Sequence, residues 1–413
     1  MYTSKRELNA ALKLAAASKT QGWPAFARFK ASRRGFKSPE ENQGQYGESE
    51  ESFARRQAFE AREAESYLGV GLMQTTCGLW ESEFYFRGEW KYEEITVNLG
   101  VLETAVKTLG KGEIELIAKD SFLYIWQGRE CIKIGAVVFG EEITKQLPAT
   151  TLRELNRGGD LWLNVYEFSG FTRILKKILT FTGKTDLGYN YDSLYIENRA
   201  RDTEGYEDLF LSTCDRRIVT AGRQIVERLG GFGIFLIPSN AARKICAAAK
   251  LLSPEGMLLR LDNYVVSFEI GRAIISCKLV EADFINPEIT IPRDVIAVFN
   301  LDKAQLARFA KKAKYSLSSI TFEYKDGVLA AAAGHANYEA QGVIPAGQDK
   351  RPLDNDFRFE LSAEALCNIL KGVTADVINI YYAGEKRPVY LTADGINYAV
   401  LPVAIEDKKE DKK

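Results

Sequence analysis

The stretch that decides the fold is Phe235–Leu279, FLIPSNAARKICAAAKLLSPEGMLLRLDNYVVSFEIGRAIISCKL, because the rest of the chain repeats its pattern. A short apolar run comes first. A helix is predicted over Asn240–Leu252, with Ser239 at the position that favours an N-cap. Pro254 and Gly256 predict the turn that follows, and two or three strands of alternating character come next. The stretch therefore predicts a unit of strand, helix, turn and strands.

The helix in this stretch has one apolar stripe and one basic face. Its apolar residues recur at intervals of three and four, as expected for one buried face: Ala242, Ile245, Cys246, Ala249 and Leu252. The other face carries Arg243, Lys244 and Lys250 without a carboxylate to pair them. The basic face is therefore a candidate binding surface.

Two further copies of the unit lie at residues 95–138 and 357–403. A second kind of unit, a helix followed by strands, precedes two of the copies at residues 161–197 and 296–333. A helix over residues 3–19 opens the chain in the same way. A repeat of more than a hundred residues is too long for a solenoid, so we expect each pair of units to form a domain with its own core.

The repeat predicts three similar domains, at residues 1–155, 156–293 and 294–405. The first contains a strongly charged insertion at about residues 31–66, which we interpret as a solvated excursion with no assigned role. Residues 406–413 form a charged tail, EDKKEDKK.

The composition is that of an ordinary folded protein with few groups suited to catalysis. The chain has 413 residues, 46% of them hydrophobic and 27% charged, and no apolar run reaches the ~20 residues of a membrane helix. Its six cysteines lie far apart and His335 is its one histidine, so we expect reduced thiols, no metal site and no cofactor. No P-loop, nucleophile-elbow or zinc-protease motif occurs. The N-terminus does not resemble a secretory signal, and we expect a cytoplasmic protein that is not an enzyme.

Basic residues concentrate on the predicted helices, although the whole chain is balanced at 55 basic and 56 acidic residues. The six helices carry nineteen bases against the four acids Glu7, Glu103, Asp302 and Glu364. On a single helix such charges usually form a solvated face, but all six helices share the bias. The candidate DNA contacts are Lys5, Arg6, Lys13, Lys107, Arg173, Lys176, Lys177, Arg243, Lys244, Lys250, Lys303, Arg308, Lys311, Lys312 and Lys371; Lys19, Lys111, Lys184 and Lys314 complete the nineteen. Such a surface suits a phosphate backbone and does not read base sequence.

With this organisation the chain resembles the bacterial DNA polymerase III beta subunit, the replicative sliding clamp, over about residues 95–403. The resemblance implies an α+β fold of three clamp domains, each with two helices packed on antiparallel sheets. It also implies a homodimeric ring of pseudo-sixfold symmetry whose helices line the hole. The implied function is that of a processivity factor that encircles duplex DNA and binds the polymerase and the clamp loader through short linear motifs.

Three segments carry the most specific likeness: TCDRRI (213–218), FINPEITIP (284–292) and YAVLPV (398–403). In the family these segments meet between the second and third domains and form a hydrophobic cleft for peptides, which can lay Leu or Phe side chains into such a trough. The residues that the resemblance assigns to this cleft are Thr213, Arg217, Ile218, Ile285, Thr290, Leu401, Pro402 and Val403. Taken without the resemblance, YAVLPV favours a buried C-terminal strand.

The chain departs from the family pattern at several of these positions. Asp215 and Arg216 replace a glycine–histidine pair, and Thr290 replaces a usual valine. These departures and the insertion suggest a divergent member, from a phage, a plasmid or an unusual lineage. They also motivate an alternative, a clamp-like protein that captures clamp-binding motifs without supporting replication. A third hypothesis, an unrelated α+β enzyme that uses carboxylates, is disfavoured by the single histidine.

Overall fold

The computed structural model describes residues 1–15, 26–31, 70–76, 80–137, 161–165, 168–183, 190–201, 203, 206–230, 233–252, 254, 256–261, 264–315, 319–325, 328–335, 338–343, 347–348, 356–385 and 387–403. The chain forms two compact units. Unit 1 consists of Met1–Arg173, Ile196–Leu209 and Gln224–Glu281, and unit 2 of Ile174–Tyr195, Phe210–Arg223 and Ala282–Lys413. In the described part of the chain, no helix is both long enough and apolar enough to cross a membrane.

Six α-helices lie in the described residues: α1 (Lys5–Leu14), α2 (Leu99–Thr108), α3 (Phe168–Ile178), α4 (Ser239–Leu252), α5 (Lys303–Tyr315) and α6 (Ala363–Gly372). Side-chain caps explain why three of them begin where they do, because the oxygens of Ser4, Asn98 and Ser362 accept backbone N–H groups of the first turn. The predicted helix at Asn240 begins one residue earlier, at Ser239. The helix predicted over residues 3–19 ends at Leu14.

Twenty-five strands lie in the described residues: β1 (Tyr2–Ser4), β2 (Phe26–Ala31), β3 (Val70–Thr76), β4 (Trp80–Glu89), β5 (Ile95–Asn98), β6 (Glu113–Lys119), β7 (Phe122–Gln127), β8 (Glu130–Gly135), β9 (Leu161–Val165), β10 (Ser193–Ala200), β11 (Tyr206–Cys214), β12 (Ile218–Gly230), β13 (Ile234–Pro238), β14 (Met257–Leu261), β15 (Val265–Ile270), β16 (Ala273–Lys278), β17 (Ala297–Asp302), β18 (Ser319–Lys325), β19 (Val328–His335), β20 (Tyr338–Val343), β21 (Gly347–Gln348), β22 (Phe357–Ser362), β23 (Val377–Tyr382), β24 (Val389–Ala393) and β25 (Ile396–Val400). Pro287–Thr290 forms a short 3-10 helix.

Unit 1 is built on antiparallel sheets covered by helices. One sheet has the order β1-β6-β7-β8. A second run of antiparallel pairs follows the order β5-β2-β3-β4-β16-β15-β14-β9-β12. Helix α1 packs on β4, α2 and α4, and α4 packs on β15 and β16. The buried apolar stripe of α1, which includes Leu8, Ala11 and Leu12, follows the helical spacing seen in the sequence.

Unit 2 is also built on antiparallel sheets, and one pair of helices, α5 and α6, packs on them. Its sheets follow the orders β12-β25-β24-β23-β17-β21 and β20-β19-β18-β22, again with antiparallel pairs. Helices α5 and α6 pack along each other, and stacked rings of Phe357, Phe359 and Tyr382 lie in the core between the sheets. These features confirm the predicted α+β class with antiparallel sheets. The three domain boundaries stay a prediction, and residues 32–66 and 406–413 lie outside the described residues.

Candidate peptide cleft and nucleic-acid interface

The three segments that were assigned to the cleft come together in unit 2. Strand β12 pairs with β25 in an antiparallel register that sets Ile218 opposite Val400 and Val219 opposite Ala399. The ladder continues by one residue, because the Leu401 amide donates to the Arg217 carbonyl at 2.9 Å. Phe284 and Ile285 pack against the apolar cluster formed on this side of the sheet. The register therefore places Arg217 opposite Leu401, and Ile285 packs on the cluster that includes Val219 and Ala399.

One row of side chains across the sheet forms the floor of this region. The cross-strand pairs of β12, β25, β24 and β23 align four residues, which we call the cleft row: Val219, Ala399, Tyr390 and Tyr381. Val219, Ala399 and Tyr390 of the cleft row form one buried apolar cluster with Tyr191, Cys214 and Ala383, and Tyr381, Phe284 and Ile285 pack against it. Sequence reasoning missed the cleft row, although strand alternation in YAVLPV places Ala399 on the same face as Leu401.

Three residues assigned to the cleft are buried and face inward. Thr213 is fully buried, and its hydroxyl donates to the Ile178 carbonyl at 2.5 Å and lies 2.8 Å from the Thr220 hydroxyl. Ile218 lies on the face opposite Val219, because neighbouring strand residues alternate. The Thr290 hydroxyl is buried and donates to the Pro287 carbonyl at 2.7 Å. All three side chains are buried in the structure, and their assignment to the cleft stays a prediction.

The accessible part of the region is its C-terminal edge. Leu401 and Val403 are 50% and 40% exposed, Pro402 is half-buried between them, and the Arg217 side chain is exposed. The Val403 amide donates to the Glu360 carbonyl at 2.9 Å, which holds this segment against β22. A peptide would thus meet two apolar side chains and one cation.

The turn that carries Arg217 is fixed by the carboxylate of Asp215. One oxygen of Asp215 accepts the amides of Arg217 at 3.1 Å and Ile218 at 2.9 Å, and the Asp215 amide donates to the Ile218 carbonyl. Between them, Arg216 adopts a positive φ of 82°, a conformation that glycine adopts more readily. The Asp215 carboxylate therefore fixes the turn that presents Arg217.

Burial raises the pKa values of two titratable side chains in this cluster, Cys214 and Tyr390. Burial raises the pKa of the Cys214 thiol to about 11, so this cysteine stays protonated at neutral pH. Burial also raises the pKa of Tyr390, and the nearby Arg387 and Arg293 partly offset that rise. The cluster is thus a neutral apolar surface bordered by arginines.

Most of the candidate DNA contacts are exposed on the helices. Eleven have exposed side chains in the structure: Arg6, Lys13, Lys107, Arg173, Lys176, Arg243, Lys250, Arg308, Lys311, Lys312 and Lys371. Lys303 is half-buried, and Lys314 is 3.0 Å from the Glu364 carboxylate. Of the other bases counted on the predicted helices, Lys19 and Lys184 lie outside the described residues, and Lys111 follows the end of α2.

Three of the predicted DNA-contacting lysines have contacts within the protein. Lys5 donates to the carbonyl of Leu109, the residue that caps the end of α2. The Lys244 ammonium donates to the Lys13 carbonyl at 2.6 Å, in the last turn of α1. Cations at helix C-termini donate hydrogen bonds to the unpaired carbonyls and interact favourably with the negative end of the helix dipole. Part of the basic bias of the helices therefore reflects helix capping, which a charge count cannot separate from phosphate binding.

Lys244 provides a test of this distinction. Its ammonium lies 5.8 Å from the Trp80 ring centre, and burial lowers its pKa. We expect Lys244→Ala to lower the free energy of unfolding by about 1–2 kcal/mol, because a charged hydrogen bond and the packed stem are lost. Lys250→Ala, which removes an exposed lysine of the same helix, should leave stability within about 0.5 kcal/mol. Urea denaturation and DNA titration of both variants measure this; a larger loss of stability in Lys250→Ala would contradict it.

Lys177 is the third lysine, and it is held by Asp394. The two charged groups are 2.6 Å apart, with side chains only 10% and 12% exposed. The Asp394 carboxylate also accepts the Thr374 amide at 2.6 Å, the Thr374 hydroxyl at 2.8 Å and the Ala375 amide at 3.0 Å. Asp394 thereby joins α3, the loop after α6 and the β24–β25 turn. This placement favours a structural role for Lys177 over a phosphate contact.

Because of these contacts of Asp394, the free energy of unfolding depends on pH in the acidic range. Burial opposes ionisation of Asp394, but the hydrogen bonds from Lys177 and Thr374 outweigh it and lower its pKa to about 2. An ordinary Asp has a pKa of about 3.9, so the stabilisation is present above about pH 4 and is lost as pH falls toward 2. We expect Asp394→Asn to lower the free energy of unfolding by about 2 kcal/mol at pH 7, with a difference from wild type that narrows below pH 4.

The matched control is Asp120→Asn. Asp394 and Asp120 both occupy turns with positive φ, at 54° and 52°, and asparagine tolerates that conformation. Asp120 is exposed, so its substitution should change stability by less than about 0.5 kcal/mol. Urea titrations between pH 3 and 7 provide the comparison, and equal effects of the two substitutions would show that the buried ion pair is not the cause.

Among the described residues, no group of three or more His, Cys, Asp or Glu side chains is arranged to hold a metal ion. No protein-family model matches the sequence, and no curated protein matches it.

Solved structures do resemble the chain along almost its whole length. The DNA polymerase III beta subunit of Thermotoga maritima has a TM-score of 0.76 at 15% identity, with 98% of this chain and 99% of that chain covered. The Helicobacter pylori beta clamp bound to a DNA ligase peptide has a TM-score of 0.70 at 13% identity, with the same coverage of 98% and 99%. The Pseudomonas aeruginosa sliding clamp bound to griselimycin has a TM-score of 0.73 at 14% identity, with coverage again 98% and 99%. The chain therefore has the fold of the bacterial sliding clamps.

Proposed function

We propose that this protein is a DNA polymerase processivity factor, a homodimeric sliding clamp that encircles duplex DNA in the cytoplasm. The observation that carries the proposal is the full-length likeness to sliding clamps of known structure, which at 12–15% identity concerns the fold. Exposed cations on all six helices support it, since they suit backbone contacts that slide without reading sequence. A clamp works by topology, so the proposed function requires neither catalysis nor a cofactor.

The partners in this proposal bind at the C-terminal edge of unit 2. Arg217, Leu401 and Val403 present a cation and two exposed apolar side chains, which suits short linear motifs from a polymerase and a clamp loader. The Helicobacter pylori clamp was solved with a ligase peptide, which supports peptide capture as a use of this fold.

The homodimer in this proposal needs an open contact surface, and β8 provides one. Within the described residues β8 pairs with β7 alone, so it is an edge strand with backbone groups free for another chain. Beside this edge, Val101 and Thr104 of α2 and Ile132 and Ile134 of β8 line an apolar groove. We assign this edge and groove to the second subunit.

Light scattering at micromolar concentration tests the assembly. The proposal predicts a mass twice the chain mass of 46.2 kDa. A monomer at all concentrations would contradict the ring, because one chain of three domains would leave it open.

A second candidate function is capture of clamp-binding motifs without support of replication. The observation that favours it is the use of Lys5, Lys177 and Lys244 in contacts within the protein, which reduces the cations available to DNA. Primer extension by a cognate polymerase on long templates separates the two candidates, since a motif-capturing protein would inhibit extension and a clamp would lengthen the products.

A further inference from the structure

The outer face of the β1-β6-β7-β8 sheet carries a row of aromatic side chains. Strand β7 places Phe122, Tyr124 and Trp126 on one face, because every second residue of a strand points the same way. The residues between them, Leu123 and Ile125, are buried on the other face. Trp126 is 38% exposed, and Phe122 and Tyr124 are half-buried. We call Phe122, Tyr124 and Trp126 the aromatic stripe.

The aromatic stripe points away from α2. Ile132 and Ile134 of the neighbouring strand β8 line the groove beside α2. The residue between them, Lys133, points to the opposite face and lies across from Tyr124 in the ladder. The stripe is therefore separate from the groove that we assign to the second subunit.

Two exposed lysines border the aromatic stripe. Lys119 of β6 lies opposite Phe122, and Lys133 of β8 lies opposite Tyr124. The Lys133 ammonium lies 3.6 Å from the ring centre of Phe122, so a cation–π contact keeps this lysine beside the stripe. Neither lysine forms a salt bridge with a residue that the structure describes. Both charges are therefore free to bind an anion.

The acids that these strands place on the same face lie at the other end of the stripe. Glu115 lies opposite Trp126, and the Tyr2 side chain is hydrogen-bonded to it. Glu113 lies two residues further from Lys119 along β6. The end of the stripe that carries Phe122 therefore combines aromatic rings with positive charge.

Packing within the protein does not explain the aromatic side chain at Trp126. Its ring makes no ring contact, and its indole N–H no hydrogen bond, with any residue that the structure describes. The residues opposite it in the ladder are Glu115 and Cys131, neither of them aromatic. A tryptophan contributes mainly through the apolar area that it buries, and here much of that area stays uncovered. The uncovered ring is thus able to stack against a planar group.

We propose that the outer face of this sheet binds single-stranded nucleic acid, with bases stacked on Tyr124 and Trp126 and phosphates bound by Lys119 and Lys133. A four-stranded antiparallel sheet with aromatic side chains on a central strand suits this ligand, because every base has a face that can stack on a ring. Duplex DNA lacks such free faces, since its bases are already stacked in pairs. This binding is independent of the proposed processivity function and uses a different surface.

Fluorescence anisotropy with a labelled oligothymidylate of about 12 nucleotides tests the stacking, and an oligouridylate of the same length distinguishes DNA from RNA. Trp126→Ser should weaken binding about 5- to 100-fold, because one stacked base loses its ring. Trp126→Phe keeps a ring and should stay within about three-fold of wild type. Tyr264→Ser removes another aromatic side chain of unit 1, 72% exposed, and should leave the affinity unchanged. Duplex binding should be the same in all three variants.

The lysines are tested by the salt dependence of the same titration. Lys119→Gln combined with Lys133→Gln should lower the slope of log affinity against log salt by about 1.4, since each phosphate contact on a single strand contributes about 0.7. Ultraviolet crosslinking of wild type to an oligonucleotide with 5-iodouracil, followed by mass spectrometry, should place the crosslink on Tyr124 or Trp126. This measurement needs no substitution, and circular dichroism verifies that each variant is folded.

Three results would overturn the proposal. The first is an oligonucleotide affinity in Trp126→Ser equal to that of wild type, which would leave the face to a protein partner. The second is an equal loss in Trp126→Ser and Tyr264→Ser, which would show that the rings have no specific role. The third is a crosslink found only on the helices, which would assign the single strand to their cations. Loss of duplex retention with intact binding of the single strand would contradict the clamp function and leave this site standing.

Discussion

Reversing three charges on α5, with Arg308→Glu, Lys311→Glu and Lys312→Glu together, is expected to weaken binding to a linear duplex about 100-fold at low salt. All three side chains are exposed on one helix of unit 2. Each cation that contacts a phosphate releases about one counterion, so removing three contacts also lowers the slope of log affinity against log salt by about three. Anisotropy of a labelled 30-base-pair duplex across a salt series measures both quantities.

A matched triple variant separates helix position from overall charge. Lys119→Glu, Lys278→Glu and Lys325→Glu reverse three exposed lysines on strands, so the change in net charge is the same. If the helices bind the backbone, the strand variant should lose less than about three-fold in affinity and keep the wild-type salt slope. Equal losses in the two variants would show that only net charge attracts DNA, and the helix surface would lose its assigned role.

Leu401→Ser is expected to weaken binding of a short peptide with Leu and Phe side chains about 10- to 100-fold while DNA binding stays unchanged. Leu401 is 50% exposed beside the cleft row, and covering a leucine with an apolar partner contributes about 1.5–3 kcal/mol. Its amide still donates to the Arg217 carbonyl after substitution, so the ladder that positions Arg217 is kept.

The control for this variant is Val377→Ser. Val377 is 51% exposed on β23 of the same unit, so the substitution removes an equally accessible apolar side chain away from the Leu401 edge. Peptide affinity should remain within about two-fold of wild type. Isothermal titration of both variants makes the comparison, and an intact affinity in Leu401→Ser would place the peptide site elsewhere.

Several elements of this fold begin or turn at residues whose local chemistry explains the position. Ser4, Asn98 and Ser362 mark helix starts because their side-chain oxygens satisfy amides within the same few residues. The Asp394–Gly395 pair marks the β24–β25 turn, where both residues adopt positive φ. Such signals are visible in the sequence because the capping or turn residue lies within a few residues of the backbone that it affects.

The roles of individual site residues were harder to predict, because they depend on distant partners. Nothing near Lys177 in the sequence indicates that Asp394, 217 residues away, pairs with it. Lys244 likewise meets a carbonyl 231 residues distant. Ile218 and Val219 are adjacent and both apolar, and only the strand register shows which of them faces the cleft row. The family likeness pointed to three segments, and the structure brings them together, but the likeness could not show which of their side chains are exposed and which are buried.

The most direct test of the account is retention on closed circular DNA. Linear plasmid is mixed with the protein so that a ring can thread over its ends, ligated into circles, and passed through gel filtration at a salt concentration that screens phosphate contacts. The account predicts that the protein elutes with the circles and is released when one restriction cut reopens them. Elution of free protein from circles and linear DNA alike would contradict the claim that this chain encircles DNA.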